Sequence, residues 1–160
     1  MSEAFPLPPE VHTLLQLWRA AKARVVFTNG VYDILHRGHV EYLEEARAFG
    51  DRLVVGVNSD ASVRRLKGSG RPLVGQRERE LMLASLEAVD YVVRFSQDTP
   101  LELIRRIQPD VLVKGGDWRS GAIIGNDVVE ARGGRVVRVP VLRGFSTTKI
   151  ARSIRSRRRV

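Results

Sequence analysis

The segment FTNGVYDILHRGHVEYL, residues 27–43, decides how the rest of the sequence is interpreted. It continues an apolar run, RVVFTNG (24–30), which predicts a buried strand ending in a turn. The residues that follow, GHVEYLEEARAFG (38–50), have apolar positions at helical spacing and predict a helix. His36 and His39 are two of the chain's three histidines, and they therefore fall where a strand gives way to a helix.

Short apolar runs alternate with amphipathic segments on both sides of this junction. They predict strands at 24–30, 53–60, 91–95, 111–117 and 135–141, and helices at 11–23, 38–50, 60–66, 76–89, 99–109 and 126–134, with a last helix within 144–156. Strands that alternate with helices and are apolar on both faces indicate a parallel sheet covered on both sides. The predicted fold is α/β, a Rossmann-like doubly wound sheet of five parallel strands, in which ligands bind at the carboxyl ends of the strands.

Two local signals predict where helices begin and end. Gly50 follows the second predicted helix and is expected to terminate it. Thr99 with Glu102 three residues later predicts a capping box, with Pro100 at the first helical position.

The size of the chain, 160 residues, is enough for one domain with a sizeable core. We expect a single domain over 1–160, with a helical extension at 1–23 and a basic tail at 151–160. The absence of cysteine excludes disulfides and cysteine-based zinc sites. No apolar run approaches the roughly 20 residues that cross a bilayer, and the first residues lack a secretory pattern, so a cytoplasmic protein is expected.

The net charge of +9 is concentrated at the C-terminal end. The last ten residues, ARSIRSRRRV, contain five arginines and no acid. Without them, 22 of the 27 basic residues remain against 18 acidic ones, a net charge of +4. The tail is either a solvated helix end or a segment that holds acidic surfaces or nucleic acid.

The strand–helix junction has the chemistry of an anion site. Free backbone N–H groups and the dipole at a helix start favour an anion, and the rings of His36 and His39 add hydrogen-bond donors for phosphate oxygens. Gly38 is expected to leave room for a phosphate, and Gly30 to adopt a turn dihedral that other residues resist. The alternative is a pair of surface histidines near a helix start.

At this point the sequence resembles a known superfamily. H-x-G-H after a first strand is similar to the nucleotidyltransferases with the HIGH-type motif, and RLKG and GFSTTKI resemble their cytidylyltransferase-like branch. Together, FTNGVYDILHRGHVEYLEEAR, VNSDASVRRLKGSGRP, DVLVKGGDW and GFSTT resemble the D-glycero-β-D-manno-heptose 1-phosphate adenylyltransferases. The resemblance extends from about residue 24 to residue 150, and Arg143 departs from it by standing where an acidic residue is frequent.

The resemblance implies an enzyme that transfers AMP from ATP to a sugar 1-phosphate and releases pyrophosphate. Heptose 1-phosphate is the leading substrate, and the product would be ADP-heptose for lipopolysaccharide or related glycans. Mg²⁺ is expected as cofactor, held mainly by the phosphates of ATP and not by a dedicated protein metal site. A homodimer and a sugar kinase on a separate chain are the expected partners.

The resemblance also assigns site residues, number by number in this sequence. The catalytic residues are His36, His39 and Lys67. The nucleotide-binding residues are Thr28, Asn29, Gly30, His36, Gly38, His39, Lys114, Gly115, Phe145, Ser146, Thr147 and Thr148. The substrate-binding residues are Asp33, Lys67, Arg77 and Asp117.

Most of these positions have an alternative interpretation that involves no ligand. Lys67 would be an ordinary exposed lysine, Arg77 part of a solvated helix face, and the hydroxyls of 146–148 helix caps. Asp33 is either a turn-forming residue or one that orients a phosphate-bound Mg²⁺ or the substrate. A lysine at the end of a buried strand is harder to explain without a ligand, which favours a binding role for Lys114.

Two other functions stay open. A cytidylyltransferase acting on an alcohol phosphate such as glycerol 3-phosphate shares several of these motifs, because pocket shape chooses the base. A nucleic-acid-binding module using the arginine tail would show steep salt dependence and lose affinity without residues 151–160. An aromatic content of 6 % counts against that module, since few rings are available for stacking on bases.

Overall fold

The structure, a computed structural model, describes residues 7–116 and 122–157. Its strands are β1 (Val25–Gly30), β2 (Arg52–Asn58), β3 (Tyr91–Phe95), β4 (Val111–Gly115) and β5 (Arg135–Val139). Its helices are α1 (Pro9–Ala20), α2 (Arg37–Arg47), α3 (Asp60–Lys67), α4 (Gln76–Ala84), α5 (Leu101–Ile107), α6 (Asn126–Glu130) and α7 (Thr147–Arg157). Asp117 and the last three arginine-tail positions, 158–160, lie outside the described residues.

The five strands form one parallel sheet in the order β3-β2-β1-β4-β5. β1 lies in the middle, with Phe27 opposite Val54 of β2 on one side and opposite Leu112 of β4 on the other. The chain builds the sheet outward from β1 to β3 and then returns to add β4 and β5. The order reverses between β1 and β4, and a crevice opens at the carboxyl ends of strands at such a switch point. The predicted doubly wound parallel sheet is confirmed.

Helices cover both faces of the sheet because successive strand residues point to opposite sides. Phe27 packs with α1, α5 and α6 in one cluster that includes Val11, Leu15, Val54, Leu103, Ile104, Ile107, Leu112 and Val129. The neighbouring Val26 packs with α2 and α4 in the other cluster, which includes Leu43, Ala46, Leu53, Val55, Leu83, Val111 and Val113. Burying each valine, leucine, isoleucine or phenylalanine side chain of these clusters stabilises the fold by roughly 1.5–3 kcal/mol relative to leaving it exposed.

The prediction that Gly50 terminates α2 is wrong. The helix ends at Arg47, and Gly50 is not among the described glycines with positive φ. A Cβ atom on Gly50 would lie 2.6 Å from Val26 Cγ2 and 2.7 Å from the carbonyl oxygen of Arg24. Glycine is needed there because the chain passes close to the start of β1, not because of its backbone angles.

The predicted capping box at Thr99 is also wrong. α5 begins at Leu101, and Pro100 occupies the capping position without any side-chain hydrogen bond to the helix. The carbonyl of Pro100 accepts from the backbone N–H of Ile104 at 2.9 Å. Proline thus stands one position earlier relative to the helix than the pattern predicts, so Thr99 falls outside the cap.

Several elements are shorter than predicted. α4 stops at Ala84, and the hydroxyl of Ser85 then donates to the carbonyl of Leu81 at 2.8 Å. β4 and β5 each end two residues before the end of the segment that was predicted as a strand. Over the stretches that the structure covers, no helix combines the length and the apolar character that crossing a bilayer requires.

Candidate active site

A cavity of about 420 Å³ opens at the carboxyl ends of β1 and β4, where the strand order reverses. The predicted site residues that line it are Asn29, Gly30, His36, Gly38, His39, Lys67, Lys114, Gly115, Phe145, Ser146, Thr147 and Thr148. Among the described residues on its wall there is no carboxylate. Its polar groups are therefore mainly cations and hydrogen-bond donors, a composition that suits an anion.

The two histidines stand at the start of α2. His36 is the N-cap residue and His39 lies in the first turn, and their rings stack with centroids 3.9 Å apart and planes inclined by 24°. The backbone N–H of His36 donates to Nδ1 of His39 at 3.3 Å. Nδ1 of His39 is therefore the acceptor, and its neutral ring carries the proton on Nε2. Within the described part of the chain, the buried Nδ1 of His36 has no hydrogen-bond partner.

The site makes both imidazoles weaker bases. Burial lowers the pKa of His39 to about 4, with smaller contributions from the positive charges of His36 and Lys67. Burial also lowers the pKa of His36 from its ordinary value. Both rings are accordingly neutral at pH 7 in the ligand-free protein, and they offer N–H donors instead of fixed charges.

The two glycines of the motif serve packing in ways that the sequence did not predict. A Cβ on Gly38 would lie 3.0 Å from the His36 ring and 3.3 Å from Cβ of Phe145, so glycine is needed there for these two side chains to pack. Gly30 is not in the left-handed region, and the residue of the turn with positive φ is Tyr32, at 51°. A Cβ on Gly30 would lie 3.0 Å from the Tyr32 ring. The prediction of a special dihedral at Gly30 is therefore wrong.

Lys114 joins the two strands at the switch point. Its ammonium group, at the end of β4, donates to Oδ1 of Asn29 at the end of β1. Burial lowers the pKa of Lys114 to about 8, so the group is still mostly protonated at pH 7. No carboxylate of residues 7–116 or 122–157 forms an ion pair with it. This half-buried ammonium group lines the cavity, and its positive charge is available to bind an anion.

Two further elements bring donors to the rim. Lys67 is the last residue of α3, and its exposed side chain lines the cavity. α7 starts at Thr147, so a second helix N-terminus faces the same space as that of α2. The hydroxyl of Ser146 accepts from the backbone N–H of Lys149 at 3.2 Å, and Thr147 donates to the carbonyl of Ile34 at 3.4 Å. These two hydroxyls therefore cap and anchor α7 in this structure.

Not every predicted site residue reaches the cavity. Thr28 is fully buried, and its hydroxyl shares a hydrogen bond of 2.7 Å with Tyr42. Arg77 lines a different cavity, next to Glu80 and Leu81. Asp33 is buried beneath the loop 68–75 and is absent from the cavity wall. Asp117 lies outside the described residues.

The sequence interpretation missed residues that shape the site. Tyr42 lines the cavity and donates to the carbonyl of Val113 at 3.3 Å, and burial raises its pKa to about 12. Its position three residues after His39 on the same helix face is the signal that could have identified it. Arg79 is completely buried and donates to the carbonyls of Val31, Asn58 and Val74. The surrounding QRERE looks like a solvated helix face, which concealed this role.

The described wall of the cavity offers hydroxyl, amide, imidazole and ammonium groups and no carboxylate. The described residues contain no group of three or more histidine, aspartate or glutamate side chains arranged to hold a metal ion. Mg²⁺ prefers oxygen ligands and commonly binds through substrate phosphates. With a phosphate compound bound here, its phosphate oxygens would hold a magnesium ion.

Comparison with protein families gives one matching model. The family described as cytidylyltransferase-like matches residues 27–156 of this chain. That range includes both histidines, the two lysines of the cavity and the start of α7. The match therefore covers the whole described wall of the cavity.

Curated relatives are similar over most of this chain. The bifunctional protein HldE of Nitrobacter hamburgensis is 59 % identical over 138 residues, which are 86 % of this chain and 28 % of that protein. The protein of the same name from Geotalea uraniireducens is 59 % identical over 133 residues, 83 % of this chain and 27 % of that protein. This chain thus spans less than a third of the length of these relatives.

A solved structure is similar over its own full length. The lipopolysaccharide core biosynthesis protein from Thermoplasma volcanium has a TM-score of 0.62 and 27 % identity, over 75 % of this chain and 97 % of that one. The match to a family model, the sequence identity to curated relatives and the similarity to a solved structure all fall on the same part of this chain.

Proposed function

This chain belongs to the cytidylyltransferase-like family, and from that membership we propose that it transfers AMP from ATP to a sugar 1-phosphate and releases pyrophosphate. The leading substrate is D-glycero-β-D-manno-heptose 1-phosphate, and the product is ADP-heptose. The motifs of 27–43 and 144–148 support the nucleotidyl transfer, and the similarity to a lipopolysaccharide core biosynthesis protein supports the sugar. The family match over 27–156 supports a single nucleotidyltransferase domain.

One observation carries this proposal. Two stacked imidazoles, two lysines and two helix N-termini meet in a single cavity whose described wall has no carboxylate. A triphosphate and a sugar phosphate together bring several negative charges, which this composition can offset. An acidic wall would instead favour a cationic ligand or a metal site of its own.

In the proposed reaction, an oxygen of the sugar 1-phosphate attacks the α-phosphorus of ATP. The bond from that phosphorus to the oxygen bridging to the β-phosphate breaks, and pyrophosphate leaves with the electron pair. No covalent intermediate with the protein is required, so the protein acts by positioning and by stabilising charge. Mg²⁺ bound to the phosphates of ATP would neutralise part of their charge.

The residues take separate roles in this scheme. The N–H groups of the His36 and His39 rings donate to phosphate oxygens as negative charge builds on them. Lys67, at the rim, meets the phosphates as a mobile point charge. Lys114 and Asn29 hold the nucleotide at the switch point, and the start of α7 binds its phosphates through backbone N–H groups.

A sugar kinase on a separate chain is the expected source of the phosphorylated substrate. ATP is available in the cytoplasm, which supports that location for the reaction.

The test is a nucleotide panel with heptose 1-phosphate, monitored by pyrophosphate release. We expect ATP to be used in preference to CTP, GTP and UTP, with Mg²⁺ required. A preference for CTP, or a faster reaction with glycerol 3-phosphate than with the sugar phosphate, would contradict the proposal and favour the cytidylyltransferase alternative.

A further inference from the structure

We propose that Asp33 is a positioning residue that fastens the loop 68–75 to the histidine-bearing turn and thereby places Lys67 over the cavity. This inference rests on the proposed function, because Lys67 acts on phosphate there. It replaces the direct substrate contact that the sequence predicts for Asp33.

The far end of the loop is tied to Asp33 by three hydrogen bonds. Oδ1 accepts from the backbone N–H groups of Leu73 at 2.7 Å and Val74 at 2.9 Å, and Oδ2 accepts from the guanidinium of Arg71 at 3.0 Å. Asp33 is 5 % exposed. Hydrogen bonds to a buried charged group are among the stronger ones in proteins. Both carboxylate oxygens are therefore engaged by the loop and turned away from the cavity.

A second anchor joins the same two segments. The buried guanidinium of Arg79 donates to the carbonyl of Val74 at 2.9 Å and to that of Val31 at 2.7 Å. Val31 and Asp33 both belong to the turn between β1 and α2, which ends at His36. The far end of the loop is thus fixed from two sides to the segment that carries the histidines.

The near end of the loop has fewer restraints. Gly68, directly after Lys67, has φ of 95°, and a Cβ placed on Gly68 or Gly70 would meet nothing within 4 Å. The N–H of Gly68 donates to the carbonyl of Arg64 at 2.9 Å and so continues α3, and the N–H of Arg71 donates to the carbonyl of Gly68 at 3.2 Å. The backbone of Lys67 is thus held by α3, and its side chain borders a loop whose course is set where residues 71–74 are held.

The electrostatics agree with this placement. The positive charge of Lys67 is one of the causes that lower the pKa of His39, so the two groups lie close enough to interact. Lys67 reaches the histidine pair from α3, an element that follows β2, not β1. The parallel pairing of β1 and β2 starts both elements at the same edge of the sheet, and the fastening ties the loop after α3 to the turn that carries His36.

The first test is hydrogen exchange, which does not depend on enzymatic activity. In Asp33→Asn we expect the amides of Leu73 and Val74 to exchange roughly tenfold faster or more, because their charged acceptor is lost. The amides of β2 should keep their wild-type rates, which shows that the fold is intact. Unchanged exchange at Leu73 and Val74 would overturn the proposal whatever the protein's substrate.

The second test is a double-mutant cycle on turnover, with Asp33→Asn, Lys67→Ala and both together. If Asp33 acts through Lys67, the double variant has the same kcat as Lys67→Ala alone. Effects that multiply would mean that Asp33 acts independently on the substrate, and an unchanged kcat in Lys67→Ala would mean that there is nothing to position. Either outcome overturns the positioning role.

Two further variants complete the design. Asp98→Asn is the control, because it removes an exposed ion pair of 2.8 Å with Arg65, which lies on α3 as Lys67 does. It should change neither the hydrogen-exchange rates of Leu73 and Val74 nor kcat. Arg71→Gln removes one of the three bonds to Asp33, so it should shift both readouts in the same direction by less. It replaces Asp33→Asn if that variant fails to fold. A failure of the nucleotide panel combined with faster exchange in Asp33→Asn would refute the proposed function and leave the loop fastening established.

Discussion

The rings of His36 and His39 stack at 3.9 Å while the backbone N–H of the first donates to Nδ1 of the second. Stacking and hydrogen bond together fix both the plane and the tautomer of His39. A residue fixed in this way needs no reorganisation when charge develops on a bound phosphate, which is the condition for strong electrostatic stabilisation of a transition state.

Replacing His39 with alanine should therefore lower kcat by about 10²- to 10³-fold, the usual effect of losing one transition-state donor. KM for ATP should change less, because the donor contributes most when charge has built up. Steady-state pyrophosphate release measures both constants. His12→Ala is the matched control, since His12 is an exposed histidine on α1. Full turnover in His39→Ala would remove the ring from the mechanism.

The lowered pKa of His39 predicts how stability depends on pH. In the unfolded chain His39 titrates near pH 6.5, and in the folded protein near 4, so the unfolded state binds more protons between these values. The wild-type protein should consequently lose stability as pH falls from 6.5 to 4, and His39→Gln should lose less. Chemical denaturation of both proteins at pH 7, 5.5 and 4.5 gives the comparison. Equal losses would mean that His39 keeps an ordinary pKa in the fold.

Gly38→Ala sets helix propensity against packing. Alanine is favoured over glycine within a helix by roughly 0.5–1 kcal/mol, but the added Cβ would lie 3.0 Å from the His36 ring. We expect packing to dominate, so that the variant binds ATP more weakly and melts at a lower temperature. Calorimetric titration and thermal unfolding measure these two quantities. A raised melting temperature with unchanged affinity would show that the ring and Phe145 shift at no cost.

Lys114→Met should weaken ATP binding by tenfold or more, because it removes a partly desolvated cation that binds a charged ligand. The effect on stability should have the opposite sign. Burial lowers the pKa of Lys114 to about 8, so its charge destabilises the folded protein below that pH. The wild type should gain stability relative to the variant as pH rises from 8 to 10. If the unfolding free energies of wild type and variant changed equally between pH 8 and pH 10, the lowered pKa of Lys114 would be contradicted.

Replacing Arg155 and Arg157 by glutamine should leave kcat and KM unchanged. Both residues lie in the last turn of α7, and their side chains are exposed, far along the helix from its cavity-facing start. The same variant tests the nucleic-acid alternative, which expects salt-sensitive binding of DNA or RNA by the wild type alone. Loss of turnover would instead place these arginines in the reaction.

Periodicity was sufficient to predict the fold. Runs such as LVVGVN in β2 are apolar on both faces, and between amphipathic helical segments this pattern is typical of a strand with helices on each side. The stacked histidines were predictable for a similar reason, because three residues on a helix start fix their relative position. In both cases the prediction depended only on the spacing of residues that are close together in the sequence.

Long-range approaches were not predictable. Gly50 and Gly30 were correctly singled out but for the wrong reason, since their close neighbours, Val26 and the Tyr32 ring, depend on tertiary packing. In sequence Arg79 looks like the exposed Arg77 two positions earlier, and only the fold shows that Arg79 is buried among carbonyls. The hydrogen-bond partners of Asp33 are Arg71, Leu73 and Val74, which follow it by 38, 40 and 41 positions in the sequence.

The cationic wall of the cavity has a consequence for the ligand-free protein. Lys67 and Lys114 both line this cavity, whose described wall has no carboxylate, and the charge of Lys67 also disfavours a positive charge on His39. Like charges on one wall repel each other until an anion arrives. Ligand affinity and the stability of the empty protein therefore oppose each other at this site. Selection for tighter nucleotide binding would be expected to make the unliganded protein more fragile, and a polyanion as simple as pyrophosphate should protect it against heat.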